Sequence, residues 1–195
     1  MNSRRIDISV AVTIAAIALA CFYSVSFSST GPLQVGSVLP HMNLPVPQNS
    51  ADRMYLGVEG GTSFKIPAIR ARVVIIEIFS MYCPYCQREA PEVNRMYGMI
   101  ENNPVLKGKI KLIGIGAGNS PFEVQIFKEK YNVPFPLFSD GDFTLHKCFG
   151  EVRTPYFVGI KIDEDGTHRV FYSKLGEFKG AEQFLKLMLQ LSALE

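Results

Sequence analysis

The sequence predicts an α/β fold in which a central mixed sheet is flanked by helices. Residues 73–79, VVIIEIF, form a nearly unbroken apolar and β-branched run, which is typical of a strand buried on both faces of a sheet. A helical pattern follows at residues 84–101, and a strand followed by a helix recurs after residue 110. The chain has 195 residues, 47% of them hydrophobic, which is enough to bury such a core.

The later elements continue this alternation. Residues 110–116 predict a second strand, and Ser120 with Pro121 predicts the start of a helix that runs to about Tyr131. The rest should contain a short extended piece, a short helix, a hairpin around an acidic turn and a closing amphipathic helix, at residues 135–138, 142–149, 156–174 and 181–194. The sheet is therefore expected to combine parallel strands with an antiparallel hairpin.

The amino terminus predicts a membrane segment. Residues 8–27 carry no charge and follow Arg4 and Arg5. As a helix they would be about 30 Å long and could cross a bilayer, with residues 1–5 in the cytoplasm and the rest of the chain outside. We favour an uncleaved anchor in a bacterial inner membrane over a cleaved signal peptide or a lipoprotein signal acylated at Cys21. Each alternative places the domain in the periplasm or outside the cell.

We divide the chain into three parts: a signal or anchor helix at residues 1–27, a tether at 28–37 and a folded domain at 38–195. The tether is polar and contains glycine and proline. Ahead of the first long strand, residues 54–70 predict an additional hairpin that turns at Gly60–Gly61.

Charge and cysteine content narrow the function. The 20 basic and 18 acidic residues form no block of like charge, so nothing indicates a surface for nucleic acid. Four cysteines are too few for a disulfide-dense secreted fold, and only Cys83 and Cys86 are close in sequence. The chemistry is therefore expected at one place.

The segment CPYC at residues 83–86 has four interpretations. A c-type haem site needs histidine directly after the second cysteine, where this chain has Gln87. A structural zinc site needs four ligands, and neither Cys148 nor the scattered histidines supply a second pair. A structural disulfide that closes so small a ring contributes only about 2 kcal/mol in the entropic model. These arguments favour a redox pair.

A helix start suits such a pair. The Cβ atoms of residues i and i+3 lie about 5–6 Å apart there, so the pair can close without refolding the domain. Cys83 should lie at the helix amino terminus, where unpaired N–H groups and the helix dipole favour the thiolate and lower the pKa. We predict Cys83 as the nucleophile, Cys86 as the resolving thiol, and no cofactor other than a redox-active Cys83–Cys86 disulfide.

Four segments carry a resemblance to a known family: CPYC, VGSVLPHMNLP, GNSPFEVQIFKEKYNVPFPLFSD and FGEVRTPYFVGIKIDEDG. They resemble the thioredoxin superfamily over about residues 36–192, and most closely its membrane-tethered TlpA/ResA-like thiol:disulfide oxidoreductases, in the redoxin branch related to AhpC/TSA proteins. The resemblance implies a thioredoxin-like fold and protein thiol or disulfide substrates. It also implies a membrane reductant donor, with the reduction of apocytochrome cysteines in cytochrome c biogenesis as the family role.

The same resemblance implies a substrate-binding loop. Pro155 should be a cis proline facing the redox pair, so that the backbone of Thr154 can pair with an extended substrate beside Cys83. Pro84 and Tyr85, between the two cysteines, should contact the same substrate. The alternative is a trans proline at the start of an edge strand.

Glu77 lies six residues before Cys83 inside the apolar strand, where cytoplasmic thioredoxins carry a buried acid. Burying a carboxylate is costly unless it is paired or neutral. Glu77 is therefore either a proton acceptor for Cys86 with a raised pKa, or a strand residue that reaches solvent or pairs with Lys or Arg.

Two other functions remain open. Thiol peroxidases of the redoxin group share a Pro-x-x-x-Thr-x-x-Cys segment, and the residues before Cys83 lack both the proline and the threonine. A metal-binding chaperone would instead hold an ion such as copper(I) between the thiols. The Pro-Tyr dipeptide resembles that of glutaredoxins and does not fix the direction of electron flow.

Overall fold

The computed structural model describes residues 31–194. The predicted signal or anchor segment lies outside these residues. Within them, no helix combines the length and the hydrophobicity that crossing a bilayer requires.

The described chain forms short strands and a helix first, and then the alternating α/β elements that the sequence predicts. In chain order the elements are β1 (Leu44–Pro45), α1 (Ser50–Leu56), β2 (Ser63–Phe64), a 3-10 turn (Ile66–Ala68), β3 (Val73–Phe79), α2 (Pro84–Glu101), β4 (Ile110–Ala117), α3 (Pro121–Lys130), β5 (Leu137–Asp140), α4 (Thr144–Cys148), β6 (Tyr156–Ile162), β7 (His168–Leu175) and α5 (Ala181–Ser192). The short helix α4 is smaller than the predicted 142–149, and β5 begins two residues later than predicted.

The main sheet is mixed, as predicted. Its strand order is β5-β4-β3-β6-β7, with β3 in the centre. The pairs β3/β4 and β4/β5 are parallel, whereas β3/β6 and β6/β7 are antiparallel. Because β3 and β4 are parallel neighbours, the loops that follow Phe79 and Ala117 lie at the same end of the sheet. The candidate site is built at this end.

Strand β3 divides the core into two layers, because successive side chains of a strand point to opposite faces. Val74, Ile76 and Ile78 pack into the layer that contains α4 and the N-terminal elements. Ile75 and Phe79 pack into the layer of α2 and α5, which also contains Cys86. Glu77 alternates with this second set, so its position in the strand directs its side chain toward the layer of Cys86.

The expected hairpin over residues 54–70 is wrong. Its first residues belong to α1, which is capped by Asn49, whose side-chain oxygen accepts a hydrogen bond from Asp52 N at 2.7 Å. Gly57 ends the helix in the left-handed conformation, with φ at 65°. These two caps favour a helix over the strand that the Gly60–Gly61 pair suggests.

The N-terminal extension is instead a helix between two short strands. Strands β1 and β2 pair antiparallel, with Leu44 opposite Phe64. The inward side chains Leu44 and Leu56 are fully buried. The extension is thus held by the same core layer as α4.

Contacts with the domain begin before Val38, where we placed its start. Leu33 is buried in the core. Gly36 N donates to Val170 O at 2.7 Å, and Val170 N donates to Ser37 O at 2.9 Å. Residues 33–37, which we assigned to the tether, therefore cover part of the edge strand β7 and satisfy its backbone groups.

Candidate active site

The two cysteines lie where β3 leads into α2. Cys83 is the N-cap residue and the helix begins at Pro84. Cys83 is partly exposed, Cys86 is fully buried, and both are free thiols in this structure. Cys83 Sγ accepts a hydrogen bond from Cys86 N at 3.5 Å and donates to Thr154 O at 3.3 Å. The first sulfur is thus reachable from solvent and lies against the orphan N–H groups of a helix start.

The pKa values of the two thiols are shifted in opposite directions. Partial burial alone raises the pKa of Cys83, but hydrogen bonds from the Thr154 side chain and from the backbone and thiol of Cys86 outweigh it, so that the net pKa is lowered. The pKa of Cys86 is raised, mainly by burial and then by the negative charge of Glu77. At neutral pH, Cys83 is therefore the better nucleophile and Cys86 retains its proton.

Glu77 is buried two residues before the end of β3, with 3% of its surface exposed. Its Oε1 atom has no hydrogen-bond partner within residues 31–194, and no Lys or Arg of that range forms an ion pair with it. Burial, followed by the charges of Glu89 and Cys83, raises the pKa of Glu77 to about 8. The alternative in which Glu77 reaches solvent or pairs with a cation is therefore wrong.

A second buried acid, Glu89, was not among the predicted site residues. It lies one turn after Cys86 on α2, and its Oε1 atom accepts a hydrogen bond from Phe178 N at 3.2 Å. Burial raises its pKa to about 7, although the bond from Phe178 acts in the opposite direction. A sequence signal for Glu89 existed, because the inward face of α2 repeats at Cys86, Glu89, Ala90 and Val93.

The Thr154–Pro155 peptide bond is cis, as the resemblance implies. The strand that follows, β6, lies between β3 and β7, so Pro155 does not begin an edge strand. The pairing of β6 with β3 brings Thr154 to Cys83, whose sulfur contacts its carbonyl oxygen. Pro155 O accepts from Gly176 N at 2.9 Å, which fixes the loop from its other side.

Exposed side chains flank Cys83 in the chain. Pro84 and Tyr85 are both exposed, and the Arg88 guanidinium lies 4.5 Å from the centre of the Tyr85 ring. Tyr82 and Phe122 are 66% and 73% exposed. The Tyr82 hydroxyl donates to the carboxylate of Glu123, the residue that follows Phe122, which brings the start of α3 next to the loop before Cys83. We call Tyr82, Tyr85 and Phe122 the aromatic rim.

The remaining cysteine of the described chain lies elsewhere. Cys148 is at the end of α4, and its Sγ donates to Thr144 O at 3.5 Å within the same helix. Across residues 31–194 no group of three or more His, Cys, Asp and Glu residues could hold a metal ion. Cys21 lies outside the described residues.

A mixed sheet of this order, a cysteine pair at the start of the helix after its central strand and a cis proline against the first sulfur define a thioredoxin-like protein. Residues 35–173 match the model of the AhpC/TSA family, and the chain belongs to that family. The resemblance stated from the sequence is thereby confirmed.

Curated relatives of the chain include thiol-disulfide oxidoreductases named ResA. The protein of Halalkalibacterium halodurans is 27% identical over 106 residues, which are 54% of this chain and 56% of the relative. The protein of Bacillus cereus is 24% identical over 107 residues, with 54% and 57% coverage. The chain thus spans little more than half the length of the curated relatives it matches.

Solved structures show the same fold at low sequence identity. A putative thiol:disulfide interchange protein DsbE from Chlorobium tepidum has a TM-score of 0.60 and 16% identity, over 82% of this chain and 98% of that one. A secreted Mycobacterium tuberculosis disulfide oxidoreductase, described as homologous to E. coli DsbE, has a TM-score of 0.54 and 17% identity, over 76% and 95% of the two chains.

Proposed function

We propose that the protein is a thiol:disulfide oxidoreductase that exchanges disulfides with protein substrates through Cys83 and Cys86. The observation that carries this proposal is the asymmetry of the two thiols. One is partly exposed with a lowered pKa, and the other is buried behind it with a raised pKa. The family and the names of the curated relatives support the same class of reaction.

In the first step the Cys83 thiolate attacks one sulfur of a substrate disulfide. A bond forms between Cys83 Sγ and that sulfur, the substrate disulfide breaks, and the other substrate sulfur leaves as a thiolate. Thr154 at the cis proline contacts Cys83 Sγ, so its backbone is placed to pair with the extended chain next to the attacked sulfur.

In the second step Cys86 resolves the mixed disulfide. Its thiol loses a proton to the Glu77 carboxylate and attacks Cys83 Sγ, which releases the remaining substrate sulfur as a thiolate. The substrate gains two electrons and the Cys83–Cys86 disulfide forms. The effect of Glu77 on the ionisation of Cys86 supports this role, because the negative charge of Glu77 raises the pKa of Cys86.

Glu89 influences how strongly Glu77 binds the proton that it accepts from Cys86. Its charge is one of the causes of the raised pKa of Glu77. Loss of a proton from Glu89 near its pKa of about 7 therefore makes Glu77 a stronger base. We assign Glu77 as the proton acceptor and Glu89 as the residue that adjusts its basicity.

The aromatic rim and Pro84 are the proposed contact surface for the substrate. Exposed apolar rings next to a reactive sulfur suit an extended or unfolded polypeptide, which offers side chains and free backbone groups together. This surface supports a protein substrate over a small thiol.

For the cellular role we propose a membrane-tethered protein of the bacterial envelope that supplies reductant for cytochrome c maturation. The uncharged residues 8–27 behind Arg4 and Arg5 support the tether. A dithiol donor in the membrane would reduce the Cys83–Cys86 disulfide after each turnover, which returns the two electrons given to the substrate.

Trapping tests this proposal directly. With Cys86→Ser in the full chain, we expect a mixed disulfide to accumulate on Cys83, and identification of the attached protein by mass spectrometry names the substrate. Cys83→Ser should abolish exchange with insulin disulfides. Peroxide consumption that needs Cys83 but persists without Cys86 would indicate a peroxidase, and copper bound stoichiometrically after anaerobic purification would indicate a metal chaperone.

The reduction potential decides the direction of electron flow. We expect a value near that of thioredoxin, about −270 mV, because a reductant for cytochrome cysteines must give up electrons readily. A value near about −120 mV would make the protein an oxidase.

A further inference from the structure

The loop that presents Cys83 has little support of its own. Ser80, Met81 and Tyr82 connect the buried end of β3 to the N-cap of α2. Within this loop Cys83 N donates to Ser80 O at 3.0 Å, while the Tyr82 side chain is largely exposed. Its geometry must therefore be fixed by groups from outside the loop.

The first such group is the Asn119 side chain, which is completely buried. Its Oδ1 atom accepts from Met81 N at 2.8 Å, and its Nδ2 atom donates to Ser80 Oγ at 3.4 Å. The oxygen and the nitrogen of this buried amide thus both form hydrogen bonds with the loop before Cys83. A buried amide left without partners is strongly unfavourable.

The turn that delivers Asn119 requires a glycine. Gly118 has φ at +66°, and a Cβ atom there would lie 2.4 Å from the Phe143 ring. This tight turn follows β4 directly, at the end of the sheet where β3 also ends. The segment GIGAGN therefore places Asn119 beside the redox loop.

The second group is the Gln87 side chain, on the first turn of α2. Its Nε2 atom donates to Met81 O at 2.7 Å. The amide hydrogen and the carbonyl oxygen of Met81 are consequently held by two different elements, one on each side of the loop. Neither Asn119 nor Gln87 contacts the sulfur of Cys83 among the hydrogen bonds of the site.

We propose that Asn119 and Gln87 are positioning residues that hold Met81 from both sides and thereby fix Cys83 against the N–H groups of α2 and the Thr154 carbonyl. The inference rests on the proposed role of Cys83 as nucleophile. Cys86 N donates to Cys83 Sγ at 3.5 Å and thereby favours the thiolate, so a displacement of the loop that weakens this contact would raise the pKa of Cys83.

Alkylation of Cys83 by iodoacetamide as a function of pH tests this proposal in the reduced full chain. The profile yields the titration midpoint and the limiting rate of the thiolate as separate quantities. For Asn119→Ala and Gln87→Met we expect a midpoint higher by about half a pH unit or more, and hence an alkylation rate at pH 7 that falls about threefold or more. The double variant should shift the midpoint by at least as much as the single variant with the larger shift.

Asn94→Ala is the matched control. Asn94 also uses its side-chain amide to hold backbone, donating to Tyr131 O at 2.8 Å and Asn132 O at 3.3 Å, but it does so on α2 away from Cys83. It should lower the melting temperature without changing the alkylation profile. Gln87→Met covers the case in which Asn119→Ala does not fold, because Gln87 is only partly buried.

Three results would overturn the proposal. The first is an unchanged alkylation profile in folded Asn119→Ala and Gln87→Met. The second is an equal shift in Asn94→Ala, which would show a general loss of stability. The third is a shift in which only the limiting rate falls and the midpoint stays, which would indicate obstruction instead of positioning. Absence of disulfide exchange in the wild-type chain would reject the proposed function. The alkylation profile would still decide whether Asn119 and Gln87 position Cys83, because it requires no substrate.

Discussion

Two buried charges on neighbouring central strands have opposite surroundings. Lys111, near the start of β4, has its Nζ atom 3.9 Å from Glu101 Oε1 and 4.0 Å from the centre of the Tyr55 ring. Glu77, near the other end of β3, has an oxygen without any hydrogen-bond partner in the described chain and faces Cys86. Glu101 Oε1 also has no hydrogen-bond partner in the described chain, so the two ends differ in that Lys111 has an opposite charge nearby and Glu77 has none.

The difference indicates which end has a chemical role. Burial and the charge of Lys107 lower the pKa of Lys111, and the charge of Glu101 opposes them. For Glu77 every cause raises the pKa, because burial and both neighbouring charges disfavour the carboxylate. A group held near neutral pKa beside two thiols can exchange a proton with them.

The largest expected effect is on resolution of the mixed disulfide. Because the pKa of Glu77 is about 8, the resolution rate of the wild-type protein should rise with pH up to about that value. Glu77→Gln should abolish this rise and slow resolution at pH 8 about tenfold or more. Rapid acid quenching followed by mass analysis of the mixed disulfide measures the rate. An unchanged pH profile in Glu77→Gln would remove Glu77 from the mechanism. Lys111→Met is the control, and we expect its resolution rate to match that of the wild-type protein at every pH.

The next effect concerns stability and its dependence on pH. Folding raises the pKa of Glu77, so its contribution to stability is fully present below about pH 4.5 and is lost as pH rises through about 8. Glu77→Gln removes this loss, and the free energy of unfolding at pH 8 should increase by about 1–3 kcal/mol. Urea denaturation at pH 5 and pH 8 measures both values. A destabilised variant at pH 8 would show that the carboxylate has a stabilising partner.

At the other end of the sheet, a substitution should change the free energy of unfolding in the opposite direction. Lys111→Met removes the ammonium from the Tyr55 ring and leaves Glu101 without its partner, so we expect a loss of about 1–2 kcal/mol at pH 7. The same denaturation series measures it. If Glu77→Gln and Lys111→Met changed the free energy of unfolding in the same direction, the contrast between the two ends of the sheet would be wrong.

A smaller effect should come from Glu89. Its charge contributes to the raised pKa of Glu77, so Glu89→Gln should lower the pH midpoint of the resolution rate by about half a unit to one unit. The measurement is the pH profile used for Glu77→Gln. A midpoint that stays in place or moves upward would show that the two acids do not interact.

The smallest effect is expected at the aromatic rim. Tyr85→Ala should raise KM for an unfolded protein disulfide about two- to fivefold and leave kcat within about twofold, because the ring contributes binding and no proton transfer. Met54→Ala is the control, since Met54 is 81% exposed on α1. Steady-state turnover with both variants checks this, and a KM unchanged by Tyr85→Ala would exclude the ring from substrate binding.

The parts that the sequence predicted are those that depend on local pattern. The apolar run at residues 73–79 and the cysteine at its helix-facing end define β3 and the N-cap of α2 without reference to the rest of the chain. The cis bond before Pro155 came from resemblance alone, since composition and periodicity do not distinguish cis from trans.

The parts that it did not predict depend on contacts between distant segments. Asn119 reaches Met81 only because β3 and β4 end together, which requires the sheet to be known. Glu89 could have been found from the inward face of α2, but its hydrogen-bond partner, Phe178 N, is far away in sequence. The helix α1 was missed although both of its caps, Asn49 and Gly57, are visible in the sequence.

The central claim is that the two thiols of one motif ionise very differently, and separate titration of each thiol tests it most directly. Alkylation of the reduced protein over a range of pH, with mass spectrometry to distinguish Cys83 from Cys86, measures both. We expect Cys83 to titrate below the ordinary cysteine value of about 8.5 and Cys86 to titrate above it. Titration of both thiols at the same pH, or of Cys86 before Cys83, would contradict the proposed mechanism.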